Sequence, residues 1–478
     1  MSRWSAHITP SYKRRSRINL NKVASRWRTL NSLTQRQIGT NEALSNRSQK
    51  VRYSKVRMID ENKVPTLSQK AIPAMGALHK PVSNRNDMWI LLWSLFLGGV
   101  NIHIAGREPV LLYFDVVLVF WLIYSVFWKG RLIGFSDWIL RLGVFCLLME
   151  TLSALVNYHD MYKSLAAIKV LGCGLVVYAI ARRTPPSPLM LSLWGAVAGI
   201  LLLINFQAVQ FGEYNGEGGL KDVIGIELGR SNYVASILLL LIPIAIAAVS
   251  LHKGATRWVC VGCGMFMLAG LVTTMSRGAM LAVVLAAIAS LPLMYRAGLH
   301  VKHLLPMLGL IAVVAFLLPA ELLRANAAFI AYRLENADET RPQLMKGAWE
   351  SFTENPVLGV GPGQVGNAIA SHMMVPTYDP QHMNAHNLVL DALAENGLPA
   401  GFALLTMVGI ILYRAFMIAA LQPSALSVGL WVAFLAAVIH NMVEASFEGQ
   451  QFQVIFWAVA GMVEARHNHL VVAIKPSA

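Results

Sequence analysis

Charge is scarce in this chain. Asp, Glu, Lys and Arg make up only 14% of its 478 residues, while 56% are hydrophobic. Soluble domains carry charge at about a quarter of their positions, so this balance excludes an ordinary soluble domain and points to a polytopic membrane protein. Cysteine is nearly as rare. Cys146, Cys173, Cys260 and Cys263 all lie inside apolar runs, which excludes a disulfide framework. Cys260 and Cys263 form a CxxC, but no second pair completes a zinc site, and both read as buried thiols. No apolar stretch follows the first charges, so the start is not a secretory signal peptide. There is no HExxH, no DxD-type carboxylate pair for a nucleotide-bound metal, and no Lys-Ser/Thr after the Gly-rich run at 359–363. A zincin, a metal-nucleotide enzyme and a P-loop are thereby excluded. No fixed-period repeat or pair of inverted halves of the kind many transporters show is visible.

The net charge of +15 is concentrated in one place. Residues 1–87 hold 18 Lys/Arg and 4 Asp/Glu, leaving 22 basic and 21 acidic residues for the rest. This segment, with runs such as Lys13-Arg14-Arg15-Ser16-Arg17, lacks apolar periodicity and reads as a basic, disordered cytoplasmic N-terminal extension. Two further readings stay open. It touches anionic membrane lipid, or it reflects an upstream start, with Met58, Met75 or Met88 as the alternative first residue. No nucleic-acid partner is expected.

From Met88 onward the chain is built of apolar runs. They lie near 88–105, 110–128, 136–156, 163–181, 189–210, 233–251, 257–275, 278–295, 304–319, 399–418, 425–443 and 450–465. Each is about long enough to cross a bilayer, which predicts an all-α polytopic membrane protein with about twelve transmembrane helices. Lys129, Arg131, Arg182, Arg183, Lys253, Arg257, Arg296, Lys302, Arg414, Arg466 and Lys475 all fall on one side of the alternation. The positive-inside rule makes that side cytoplasmic, with both termini on it. The predicted organisation is nine helices over 88–319, a large external loop over 320–398, three helices over 399–466 and a cytoplasmic tail over 467–478. Trp89, Trp93, Trp121, Trp128, Trp138 and Trp258 stand near span ends, as an interfacial belt requires. Asp115 and Glu150 are isolated acids within spans, readable as proton-relay groups or as interhelical hydrogen-bond partners.

The longest polar interval, Thr340 to Gly401, gathers Gly, Pro, imidazole and charge. Long irregular segments on a helical scaffold tend to carry function. The Gly359-Val360-Gly361-Pro362-Gly363 run reads as a tight turn. On the predicted external face stand Arg230, at the mouth of the sixth span, Arg277, at the tip of a tight turn, and Arg341 and His386 in the large loop. A single guanidinium there also serves as a headgroup anchor. Three of them beside Gly and Asn on one face suit phosphate oxygens, because their forked geometry is fixed and their charge permanent. His386 reads either as a packed or surface side chain or as a functional one. His382 lies four residues earlier and would share a helical face with it, which leaves a metal site open. His372 is more distant.

These residues also carry a family resemblance. Ser276-Arg277-Gly278, then Arg341-Pro342-Gln343-Leu344, Asn355-Pro356-Val357-Leu358-Gly359-Val360-Gly361-Pro362-Gly363, His386-Asn387 and Glu395-Asn396-Gly397-Leu398-Pro399-Ala400-Gly401 follow one another in an order that resembles the O-antigen ligase and polymerase family. The late Ile439-His440-Asn441-Met442-Val443-Glu444-Ala445 is similar to that family's histidine-containing span. The resemblance covers roughly 88–466. It implies a GT-C-like, metal-independent, cofactor-free inverting glycosyltransferase of the inner (cytoplasmic) membrane. The donor would be an undecaprenyl-pyrophosphate-linked glycan, and the acceptor a hydroxyl of lipid A–core or another lipid or glycan, on the periplasmic face. His386 would be the catalytic base, and Arg230, Arg277, Arg341 and Asn387 would bind substrate. Ligase, polymerase of repeat units and non-enzymatic flippase are the three readings carried forward.

Overall fold

A computed structural model describes residues 86–97, 112–127, 137–157, 160–211, 225–226, 229–299, 340–373 and 383–474. The predicted span at 304–319 and the whole of 1–85 lie outside these residues. Among the described residues the chain is helical apart from two strands of two residues each. The helices are α1 (Asn86–Ser94), α2 (Tyr113–Phe127), α3 (Trp138–Val156), α4 (Met161–Ala181) and α5 (Pro188–Phe211). Strands β1 (Gly225–Ile226) and β2 (Gly229–Arg230) pair antiparallel and lead into α6 (Ser231–Leu251). Then come α7 (Gly254–Thr273), α8 (Arg277–Ala289) and α9 (Leu291–Arg296). After the undescribed interval follow α10 (Thr340–Glu354), α11 (Val365–Ser371), α12 (Leu388–Leu421), α13 (Ala425–Asn441) and α14 (Gln450–Ile474).

Six of these helices (α3 to α7 and α12) are long and apolar enough to cross a membrane, and α1, α2, α8 and α13 are shorter apolar helices. α14 is 25 residues long, but Gln450, Gln451, Gln453 and Glu464 interrupt its apolar character. Helix α6 carries no charged residue and is apolar on every side, the pattern of a helix surrounded by others. It is accordingly the most buried of the six and packs against α5, α7 and α13. Between α5 and α7 the backbones themselves meet, since a Cβ on Gly270 would stand 2.6 Å from the Cα of Gly199. Small residues let apolar helices approach this closely where no water drives them together.

The long polar interval is ordered by its own small core. Leu344, Ala348, Val365, Ile369, Met383, Ala385 and Ala394 form a second cluster, separate from that of the bundle. It fastens α10 and α11 to the first turns of α12. Helix α12 begins at Leu388, earlier than the apolar run at 399–418 suggests, because Gly397 with φ 68° joins two helical pieces across a kink. Pro399 has no N–H to offer the preceding turn, and the kink releases carbonyls that find partners elsewhere. Val360 and Gly361 donate their backbone N–H groups to the carbonyls of Ala394 and Glu395, at 2.9 and 3.0 Å. Leu398 N–H in turn donates to Pro356 O at 2.8 Å. Gly359, at φ 66°, and Gly397 lie so close to the opposing backbone that a Cβ on either would collide with it. The turn expected at 359–363 is therefore a splint across the α12 kink. Its far side is tied to the ends of α3 and α4, where Ser153 Oγ, Asn157 Nδ2 and Ser164 Oγ donate to the carbonyls of Leu358, Gly359 and Pro362.

Candidate active site

The stretch around His386 is fixed before any side-chain chemistry begins. Asn387 is the N-cap of α12, its Oδ1 accepting from the N–H groups of Val389 and Leu390 at 3.0 and 3.1 Å. Its Nδ2 donates to Met442 O at 3.1 Å, tying α12 to the end of α13. Asp391, in the first turn of α12, accepts the Ala385 N–H at 2.7 Å, and Asn384 Oδ1 accepts the His386 N–H at 3.1 Å. His386 itself has φ 48°, a left-handed conformation uncommon for a residue with a side chain. Such conformations persist only where the surroundings over-determine them, and the three hydrogen-bonded neighbours here do so.

The imidazole meets a carboxylate that sequence reasoning did not single out. His386 Nδ1 lies 3.0 Å from Glu444 Oε1. Glu444 is buried in the turn after α13, and its Oε2 accepts from Asn232 Nδ2 at 2.6 Å. The turn is rigid. Asn441 Oδ1 accepts the Ser446 N–H, Asn441 Nδ2 donates to Ala437 O, and Gln453 Nε2 donates to Phe447 O. With Glu444 ionised, Nδ1 carries the imidazole proton and Nε2 the lone pair. The His386 side chain is 27% exposed and that of Glu444 11%, so the pair is recessed but reachable.

Arg341, the second residue of α10, reaches the same turn. One guanidinium nitrogen donates to Val443 O at 3.1 Å and the other stands 3.9 Å from Glu444 Oε2. Arg277 opens α8 with an exposed side chain. The next residue, Gly278, packs on the turn, with a Cβ there falling 3.3 Å from both Val443 and His440. Arg230 closes β2, its backbone paired with Gly225, immediately before the helix that supplies Asn232. The elements bearing Arg277 and Arg341 thus converge on residues 440–444, and Arg230 immediately precedes the helix that contacts them. His440 itself is buried at the end of α13, under Gly278. Although it was the residue that made this motif conspicuous, its neighbour Glu444 is the one that touches His386.

A second carboxylate stands beside the pair. Glu448 Oε2 accepts from Asn384 Nδ2 at 3.1 Å and from Tyr233 Oη at 3.2 Å. The protein crowded around its carboxylate, followed by the charges of Asp391 and Glu395, raises its pKa well above the ordinary carboxylate range. The residue nonetheless keeps exposed surface and lines a cavity.

The remaining expected residues fall as follows. His372 faces Glu350 and Glu354 of α10 at 3.8 and 3.5 Å, and His382 lies outside the described residues. Among the described residues no group of three or more His, Cys, Asp or Glu is arranged to hold a metal ion. Asp115 is an interhelical partner, paired with Lys169 at 2.7 Å and accepting from Gln450. Glu150 accepts from the Cys146 thiol. Cys260 and Cys263 are buried free thiols.

A search of curated proteins found no match to this chain. One family model does match, over residues 262–405, a stretch that begins after Arg230 and ends before Glu444. It contains Arg277, Arg341, His386 and the Gly359–Gly397 splint, and over this stretch the chain is similar to the O-antigen ligase family.

Proposed function

We propose that the protein transfers a glycan from a polyprenyl pyrophosphate, undecaprenyl pyrophosphate in a bacterial inner membrane, to a sugar hydroxyl of a lipid or glycan acceptor. The observation that carries this reading is the 3.0 Å contact between His386 Nδ1 and Glu444, at a turn that also receives Arg341. A sugar hydroxyl is a poor nucleophile at neutral pH and gains from a base whose pKa lies near it. Glu444 holds the imidazole in the tautomer that leaves Nε2 ready to accept, and stabilises the imidazolium that forms.

In the proposed step Nε2 takes the hydroxyl proton as the acceptor oxygen attacks the anomeric carbon. The bond from that carbon to the pyrophosphate oxygen breaks, and its electron pair leaves with the pyrophosphate. Direct displacement inverts the anomeric centre. Arg230, Arg277 and Arg341 meet the negative charge on the leaving group, the role a metal ion plays in nucleotide-dependent transfer. Their side of the bundle faces away from the cytoplasm, both termini lie inside, and the apolar helices supply the surface for the polyprenyl chain. Asn387 acts in this scheme by anchoring the start of α12, next to His386, to the Met442 carbonyl as well as by contacting the substrate.

The family description favours a ligase that attaches a finished polysaccharide over a polymerase of repeat units. Deleting the protein and separating the lipid-linked glycans tests this. A ligase leaves polymer on the carrier, whereas accumulation of single repeats makes it a polymerase. An unchanged pattern overturns both. Purified protein should keep its transfer activity in EDTA, and restoration of lost activity by one divalent ion would overturn the metal-independent step.

A further inference from the structure

The asparagines around the His386–Glu444 pair are used in two ways. Asn387 and Asn441 engage both ends of their amides, each tying one backbone segment to another. Asn232, the second residue of α6, does not. Its Nδ2 donates to Glu444 Oε2 at 2.6 Å, and its Oδ1 is buried without a hydrogen-bond partner among the described residues. Turning the amide over would set its oxygen against the carboxylate, so the contact with Glu444 decides which way it points. Buried amide oxygens are nearly always paired, and an unpaired one calls for a reason other than fastening. The fastening of α6 to this turn is supplied elsewhere. Ser236 Oγ pairs with Ser446 Oγ, and the Tyr233 ring lies against Gly449, where a Cβ would fall 2.9 Å from it.

We propose that Asn232 is a positioning residue for glycosyl transfer: it holds Glu444 so that the carboxylate in turn holds His386. The proposal rests on His386 acting as the base, as read above. The two oxygens of a carboxylate are rigidly joined, so fixing Oε2 aims Oε1, the atom 3.0 Å from His386 Nδ1. An Arg341 nitrogen stands 3.9 Å from the same Oε2, beyond hydrogen-bond length, and supplies charge at a distance that fixes no direction. An amide suits the task for a second reason. It donates without neutralising the carboxylate, which leaves the charge of Glu444 to stabilise the imidazolium formed as Nε2 takes the hydroxyl proton. The line of support runs from α6 through the turn after α13 to the loop before α12. Asn232 also follows Arg230 by two residues. The segment that brings one of the guanidinium groups proposed for the donor therefore also carries the residue that sets the base.

The full chain is assayed in detergent, with the lipid extract of cells lacking the protein as the source of donor and acceptor. Asn232→Ala should lower kcat by about 10–100-fold, the range found where outer groups orient a histidine in metal sites. The apparent donor KM and the unfolding temperature should stay near those of the parent. Asn232→Asp keeps the shape, removes the N–H and sets a second carboxylate against Glu444. It should lose at least as much at neutral pH. Its kcat relative to the parent should then rise as pH falls, because one proton shared between the two carboxylates restores a donor to Oε2. The other titratable and charged groups of the elements at this turn are His386, His440, Arg277, Arg341, Asp391 and Glu448, with Tyr233 on α6 itself. All are common to parent and variant, so a pH-dependent ratio belongs to position 232. Adding Asn232→Ala to Glu444→Ala should cost little beyond Glu444→Ala alone, since the asparagine acts through the glutamate. Parent-like kcat in Asn232→Ala, a flat ratio for Asn232→Asp, or losses that add in the double variant would overturn the proposal. Should Asn232→Ala fail to fold, the isosteric Asn232→Asp carries the test by its pH ratio. His386→Ala keeps the two readings apart. Transfer lost in His386→Ala but intact in Asn232→Ala removes the positioning role alone, whereas transfer that survives His386→Ala removes the base itself.

Discussion

Helices α3 and α4 each carry polar clusters at both ends, and the two clusters are built differently. At one end Asp137 caps α3, stands 3.5 Å from Arg182 and 3.6 Å from Arg414, and accepts from Tyr178. Arg414 also pairs with Glu464 of α14. Two guanidinium groups and two carboxylates neutralise one another there, with side chains 6–15% exposed. At the other end the carboxylates are held largely by neutral donors: Glu444 by Asn232, Glu448 by Asn384 and Tyr233, Asp391 by the Ala385 N–H. Neutral donors fix geometry without supplying a counter-charge, and Glu448 accordingly holds its proton more tightly than an ordinary carboxylate. The first arrangement closes a bundle, and the second leaves the imidazole of His386 beside the Glu444 carboxylate.

The sharpest way to break this contrast is at the open end. His386→Ala removes the proposed proton acceptor and should lower turnover by ~10²–10⁴-fold with donor binding retained. Glu444→Gln should fall in the same range, because an amide can present N–H to Nδ1 and trap the wrong tautomer. Glu444→Asp should recover part of the loss, and the rate should be read as kcat separately from KM. Mild, equal losses in all three would show that the pair is structural and that the two ends do not differ in kind.

That pair also marks the limit of what the sequence made legible. Apolar run length located the helices α3 to α7 well, because crossing lipid demands continuous hydrophobic stretches. The concentration of Gly, Pro, His and Asn between 340 and 401 located the segment that carries the site. Glu444 escaped because its partner stands 58 residues away in the chain. The nearby His440 offered a more conspicuous residue type, yet α13 buries it and turns Glu444 outward to His386. The Gly359 turn was readable as a turn from composition. That it braces Gly397 was not, since the pairing depends on carbonyls freed by a kink elsewhere.

At the closed end the expected effect is on stability. Arg414→Met leaves Glu464 buried without its strongest partner, and breaking such a pair costs about 3–5 kcal/mol. Thermal unfolding in detergent should fall clearly. The double variant Arg414→Met with Glu464→Leu should regain most of the loss, because an apolar pair replaces an ionic one without leaving a charge behind. Transfer activity per folded molecule should be unchanged in both. A double variant no better than the single would mean that the cluster does more than balance charge.

Glu448 gives a smaller effect with a definite sign. Its pKa is raised in the folded protein by the protein crowded around it and by Asp391 and Glu395, so the folded state holds this proton more tightly than the unfolded one. Its contribution is therefore favourable below the ordinary carboxylate pKa and is lost as pH rises toward the folded value. Glu448→Gln, which keeps an acceptor for Asn384 and Tyr233, should flatten the fall in stability over that interval. A variant that follows the parent at every pH would assign the dependence to another group.

The smallest effect expected separates the two kinds of polar residue within the site itself. Asn387 was identified as a substrate-binding residue by its place beside His386, yet both ends of its amide are engaged by backbone, at Val389, Leu390 and Met442. Loss of an N-cap costs about 0.5–2 kcal/mol. Asn387→Ala should therefore lower the unfolding temperature slightly and reduce kcat through a less firmly held His386, leaving the donor KM near its original value. Asn387→Asp restores the cap acceptor but not the donor to Met442 O, so stability should return further than activity does. A rise in donor KM in both variants, with unfolding temperature unaltered, would instead give Asn387 a direct grip on substrate. It would then belong with the arginines proposed to meet the pyrophosphate, not with the residues that hold His386 still.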